Sequence, residues 1–166
     1  MTGIGRRVGA ASVEVRREPA DSEVARYCLE TYYAELAERF SEGFDVALAL
    51  PTPPEELAPP AGSFLIAWID GLPVGCGALK TLAPGVGYLK RMWVARSARG
   101  LGVGRLLLGA LEEEALGLGF RQLRLETNRA LTEAQSLYRS AGYSEIAAFN
   151  DEPYADHWFE KELVGR

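Results

Sequence analysis

Residues Arg99 to Arg105 read Arg-Gly-Leu-Gly-Val-Gly-Arg, three alternate glycines between two arginines. The apolar run Met92-Trp93-Val94 leads into them through a short basic turn, and an apolar-periodic segment, Leu106 to Leu118, follows directly. That order reads as strand, turn and helix. The first N–H groups of a helix lack carbonyl partners and sit at the positive end of its dipole, and glycines keep Cβ atoms out of the path of an approaching anion. The backbone of Arg99, Gly100, Leu101, Gly102, Val103, Gly104 and Arg105 therefore reads as a seat for a pyrophosphate, with the two arginines adding positive charge on either side. Gly104 is followed by Arg105 and Leu106, not by lysine and a hydroxyl residue, which disfavours a Walker-type magnesium–nucleotide loop. The G-x-G-x-G spacing also departs from the dinucleotide fingerprint.

The elements that must hold this loop are legible on both sides of it. Ser12 to Glu18 alternates Val13 and Val15 with polar residues as a strand does, and Pro19 ends it. Asp21 or Ser22 can cap an amphipathic helix carrying Val24, Tyr27, Cys28, Thr31, Leu36 and Phe40. Ser41 to Pro60 holds five of the nine prolines and reads as a long connection with at most a short turn near Glu55-Glu56. Phe64 to Ile69, Leu72 to Leu82 and Val86 to Val94, joined at Asp70-Gly71 and Pro84-Gly85, form an antiparallel meander.

Beyond the loop, Val103, Leu107, Ala110, Leu111, Ala115 and Leu118 share one side of a helix, with Glu112, Glu113 and Glu114 read as a solvated face. Arg121 to Glu126 then reads as a strand parallel to Val86 to Val94. Thr132-x-x-Gln135 fits a capping box for a helix through Ala134, Leu137, Tyr138 and Ala141. Tyr143 to Phe149 and Ala155 to Leu163 read as two closing strands around the polar loop Asn150 to Tyr154. The expected fold class is mixed α/β (α+β), a central, mostly antiparallel sheet flanked by helices. A flexible N-terminus over 1–11 would precede a single domain over 12–166.

Composition narrows the functions open to such a fold. The balance of 48% hydrophobic and 25% charged residues is that of a globular chain, and a net charge of −5 argues against a general nucleic-acid binder. No apolar run approaches membrane-spanning length, and Met1 to Ala11 lacks the apolar core of a signal peptide, so a cytoplasmic protein without a membrane partner is expected. Cys28 and Cys76 are too few and too isolated for a disulfide framework, and one histidine, His157, is too few for a metal site. The sequence leaves room for a homodimer.

Arg99-x-x-Gly102-x-Gly104 after a strand, followed later by Leu137-Tyr138-x-x-x-Gly142-Tyr143, resembles the GCN5-related N-acetyltransferase (GNAT) family, most clearly from Ser63 to Leu163. The resemblance implies the GNAT fold, acetyl-CoA as cosubstrate, and transfer of its acetyl group to a primary amine of a small molecule or peptide. It places the thioester along Met92, Trp93 and Val94, where a backbone N–H polarises the carbonyl, and makes Tyr138 the acid beside the coenzyme sulfur. Two departures bear on the base. Tyr88 stands where many members carry a glutamate, and Leu131 replaces a familiar asparagine. Glu126, Glu152, Asp151 and His157 are candidate substitutes.

The acidic residues Glu35, Glu38, Asp45, Asp151 and Glu152 flank the expected acceptor side, between Tyr33 to Leu50 and Asn150 to His157, and suggest a cationic amine. A non-catalytic acyl-CoA-binding module is the alternative from a different functional class, and a nucleotide-binding domain is a weaker one.

Overall fold

Two tight turns organise the centre of the sheet. Asp70 (φ 52°) and Gly71 (φ 76°) both adopt the left-handed conformation that a two-residue hairpin demands, and Pro84-Gly85 makes the next connection. They join β3 (Gly62–Ile69), β4 (Leu72–Ala83) and β5 (Val86–Val94) into the expected antiparallel meander. The structure, a computed structural model, describes residues 4–8 and 11–164.

Among the described residues the sheet grows around the meander to eight strands in the order β1-β2-β3-β4-β5-β6-β8-β7. On one side lie β1 (Ile4–Val8) and β2 (Ala11–Arg17); on the other lie β6 (Gln122–Thr127), β8 (His157–Glu162) and β7 (Ser144–Ile146). Every pairing is antiparallel except β5 with β6, which are joined by a helical crossover and run parallel, as expected. Ile4–Val8, inside the stretch read as a flexible lead-in, pairs with β2; residues 1–3 and 9–10 of that stretch lie outside the described residues.

Helices cover both faces. The first, α1 (Glu23–Arg39), is capped by Ser22, whose hydroxyl accepts from the Ala25 N–H at 3.1 Å. Its inner residues Ala25 and Cys28 meet Phe64, Ile66, Cys76, Ala78 and Trp93 from alternate positions of β3, β4 and β5. The opposite face carries α2 (Val103–Gly117), which buries Leu107, Leu108 and Leu111 against Val13, Val15, Leu65, Leu79, Leu89 and Leu123. Both cysteines are buried as free thiols.

Four local expectations need correction. Glu114 is not solvated: it is buried beneath Arg17 and Ser63, both of which donate to its carboxylate, and Glu112 accepts from Tyr143 and Lys161. Glu114 lies three residues past the buried Leu111 and beside the buried Ala115, which puts it on the inner side of the turn. The capping box does not form at α3 (Thr132–Ser140) because Thr132 lies one residue inside the helix; Leu131 holds the cap position and Gln135 donates to the Asn128 and Arg129 carbonyls. The strand expected over Tyr143 to Phe149 shortens to Ser144–Ile146, and that over Ala155 to Leu163 to His157–Glu162. Phe149, freed from the strand, and Asn150 of the polar loop turn toward Tyr88.

Candidate active site

The site begins with an incomplete pairing. β5 and β6 share only three register positions, Val86 with Gln122, Gly87 with Leu123 and Tyr88 with Arg124; past Tyr88 the two strands part. On the other edge of β5 the register with β4 shifts between Cys76 and Ala78, and Arg91 takes a left-handed φ of 56°. A non-glycine residue held there is strained, a condition that recurs at functional sites. The parting leaves Leu89 to Val94 without ladder partners on the β6 side, and two cavities open along them.

The larger cavity, about 340 Å³, is lined by Met92, Trp93, Val94, Arg99, Gly100, Gly102, Val103, Gly104 and Arg105. Leu101, the remaining residue of the sequence-derived set, is exposed and lies outside the lining. Gly100 and Gly102 have φ of 80° and 81°, and Gly102 caps α2 without any side-chain acceptor. The N–H groups of Val103, Gly104 and Arg105 therefore have no carbonyl of the helix to bond, and they border the cavity. A Cβ on Gly104 would lie 3.4 Å from Leu137 and 3.6 Å from Val94, both of which line the cavity. Unpaired N–H groups beside bare glycines are what a pyrophosphate seat requires.

Both arginines line the cavity, and both are also held by groups of the protein. The Arg99 guanidinium donates to the Val94 carbonyl at 3.1 Å and to the buried Glu35, and Arg105 donates to Ser140 at 2.7 Å. Arg39 bonds Glu35 at 3.3 Å, the Ala130 carbonyl at 3.0 Å, and Glu133, whose carboxyl it pulls down to about 2 through these hydrogen bonds. Glu35, Arg39, Arg99 and Glu133 all line the cleft, so this network ties α1, the glycine loop and α3 together across it.

The second cavity, about 170 Å³, lies on the other side of the parting. The proline-rich stretch 41–60 roofs it together with the closing loop. Tyr154 accepts from the Asp45 N–H at 2.8 Å, Glu152 accepts from the Leu50 N–H at 3.1 Å, and Phe44 sits between the rings of Tyr33 (5.4 Å) and Tyr154 (4.7 Å). Lys90, Arg91 and Glu126 also line this cavity.

Glu126, from β6 just past the parting, is the carboxylate held most firmly among the lining residues. The Tyr88 hydroxyl donates to its carboxylate, and Asn150 donates to both, at 3.1 Å to Glu126 and 2.8 Å to Tyr88. Asn150 is itself fixed by the Trp158 indole, which donates to its carbonyl oxygen at 2.9 Å. Burial raises the Glu126 carboxyl above its ordinary value, with these hydrogen bonds and Lys90 opposing. Tyr88, found where a glutamate was expected, thus holds a glutamate contributed by the next strand. Of the other substitutes, Glu152 lines the cavity, Asp151 is exposed, and His157 pairs with Glu145 at 2.8 Å and does not line it.

Tyr138 stands where the cavities meet. It lines both, as do Tyr32, Leu36, Met92, Leu131 and Ala134. Its ring is buried against Tyr143 and Phe159, and burial pushes its phenol well up, so the proton stays on at neutral pH. Among the described residues its hydroxyl has no hydrogen-bond partner, yet the fully buried orphan atoms are the indole nitrogens of Trp68 and Trp93. The Tyr138 hydroxyl must therefore open into the cavity. Tyr32 faces the same junction, its phenol also raised by burial. Sequence reasoning missed Tyr32, whose only signal was an aromatic pair, Tyr32-Tyr33, amid a polar helical pattern.

Residues 24–143 match the family model "Acetyltransferase (GNAT) family", well over half of the chain. A relative from Azospirillum brasilense, an "IAA acetyltransferase", is 40% identical over 101 residues, which cover 60% of this chain and 65% of the relative. The matched stretch thus spans just under two thirds of that protein. A solved structure from Klebsiella pneumoniae, described as an acyl-CoA N-acyltransferase, aligns at a TM-score of 0.75 and 26% identity over 92% of this chain and 98% of its own. A Salmonella typhimurium acetyltransferase structure aligns at 0.65 and 17% identity over 93% and 95%, and that protein was solved with its cofactor acetyl-CoA.

Proposed function

The chain belongs to the acetyltransferase (GNAT) family, and we propose that it transfers the acetyl group of acetyl-CoA to a primary amine of a small molecule or a peptide. The observation that carries this reading is the junction. A glycine-backbone cleft and a separate side-chain cavity meet at Tyr138 and Met92, where an acyl carrier in one would face an acceptor in the other.

Acetyl-CoA would supply an activated acetyl group and a thiol leaving group. The α2 N-terminus and the glycines from Gly100 to Gly104 would bind its pyrophosphate, and the unpaired edge of β5 at Met92, Trp93 and Val94 would flank its thioester end. Glu126, a carboxylate with raised proton affinity, would take a proton from the acceptor nitrogen. Tyr138, protonated and unpartnered, would give one at the sulfur. The aromatic roof and Leu36, Leu131 and Ala134 would keep bulk water from the junction.

A thiol-release assay with acetyl-CoA tests the proposal across amino acids, polyamines, aminoglycosides and peptides. Amine-dependent release with matching N-acetylated product is the expected result. Acetyl-CoA binding without release for any acceptor would favour the non-catalytic binding module, and ATP displacing coenzyme A would favour a nucleotide domain.

A further inference from the structure

The acidic residues that suggested a cationic acceptor are mostly committed elsewhere. Glu35 accepts from Arg39 and Arg99, Glu38 from Arg96, and Asp45 from the Ala47 N–H; Asp151 is exposed. None of these four carboxylates lines the acceptor cavity.

Two cations do. Among the described residues neither Lys90 nor Arg91 has a carboxylate within ion-pair distance. Lys90 donates to Thr52 at 3.1 Å and lies 4.9 Å from the centroid of the Tyr88 ring. Arg91 stands close enough to the Tyr33 phenol to oppose the rise that burial imposes on it, and its guanidinium projects from a backbone held at φ 56°. A half-buried guanidinium without a counter-ion is costly, and a ligand carboxylate is the group its planar fork fits best. The wall also carries two carboxylates, Glu126 and Glu152, the second accepting from the Leu50 N–H, and the aromatic set Tyr32, Tyr33, Phe40, Phe44 and Tyr154.

Building on the acetyl-transfer reading, we propose that the acceptor is a free amino acid with an apolar or aromatic side chain, its carboxylate seated on Arg91 and Lys90 and its amine directed at Glu126. Charges of both signs in one small cavity match a zwitterion. A polyamine would bring further cations against Lys90 and Arg91, and a peptide N-terminus would bring an amide where the carboxylate belongs.

The test compares phenylalanine and leucine with their amides and with 2-phenylethylamine, by thiol release at saturating acetyl-CoA. Each amino acid should exceed its amide in kcat/KM by about 10- to 100-fold, the range for a hydrogen-bonded charge pair. In Arg91→Gln that preference should collapse mainly through KM, and Arg91→Lys should restore part of it; the wild-type ratio stands even if a variant folds poorly. Amides or phenylethylamine used as well as the amino acids would overturn this inference and leave acetyl transfer intact. Activity confined to polyamines, aminoglycosides or peptides would likewise overturn this inference alone; silence from all of these compounds would overturn the transfer reading, and this inference with it.

Discussion

The two cavities differ in what builds them. The floor of the coenzyme-side cleft comes from one continuous stretch, β5 through the glycine loop into α2, with α1 and α3 closing it from the sides, and its working groups are backbone N–H donors whose availability follows from helix geometry. The acceptor-side cavity is made from side chains gathered out of α1, the 41–60 stretch, β5, β6, α3 and the closing loop. Changes in the first should act on acetyl-CoA affinity alone. Changes in the second should act on acceptor choice and proton transfer, leaving acetyl-CoA affinity largely intact.

The largest effect is expected at Glu126. Glu126→Gln keeps an oxygen to accept from Tyr88 and Asn150 and deletes the base, so kcat/KM for the acceptor should fall about 10²–10⁴-fold while calorimetry finds acetyl-CoA bound as before. Because burial raises this carboxyl, wild-type activity should climb with pH through a value above the ordinary carboxylate range, and the variant should lack that limb. The sign for stability is the reverse. A raised folded-state value contributes stability that is full below the unfolded carboxyl's pKa and lost as pH rises through the folded one.

Tyr138→Phe keeps the ring against Tyr143 and Phe159 and deletes its proton, so a fall in kcat of about 10²-fold is expected, with similar melting temperature. Full kcat under conditions where proton transfer limits the rate would assign Tyr138 to packing. On the other side of the comparison, Gly104→Val crowds the cleft between Leu137 and Val94 and should weaken acetyl-CoA binding about tenfold, which is about 1.4 kcal/mol by calorimetry. Gly102→Val is the poorer probe, since φ of 81° strains any side chain there.

The smallest effect lies outside both cavities. Glu114→Ala strands Ser63 and Arg17; because Arg17 is 37% exposed, water offsets part of the loss, and denaturant melts should show about 1–2 kcal/mol with activity intact.

The same contrast explains what could be read from the sequence. Strand alternation at Val13 and Val15, the Asp70-Gly71 turn and the glycines before α2 are local signals, so the meander, the crossover and the cleft were legible. The acceptor cavity depends on distant pairings. Asp45 with Tyr154, Leu50 with Glu152 and Tyr88 with Glu126 are separated by 109, 102 and 38 residues, and no local periodicity encodes them. Of the acidic residues counted near the acceptor side, Glu35 and Glu38 turn to the arginines of the opposite cleft and its flanking turn, a pairing that no local pattern announces. Glu126 could be named as a candidate from its place at a strand end. Its preference over Asp151 and His157 required the fold.

The central claim is that the two cavities are filled at once and joined at Tyr138. Coenzyme A linked through its sulfur and an acetyl spacer to the nitrogen of an accepted amine spans both, and its affinity by calorimetry is the most direct test. The account predicts binding at least about 10²-fold tighter than coenzyme A alone, because the second contact becomes intramolecular, with competition against both acetyl-CoA and the amine. A conjugate that binds no better than coenzyme A, and competes with acetyl-CoA but not with the amine, would contradict it.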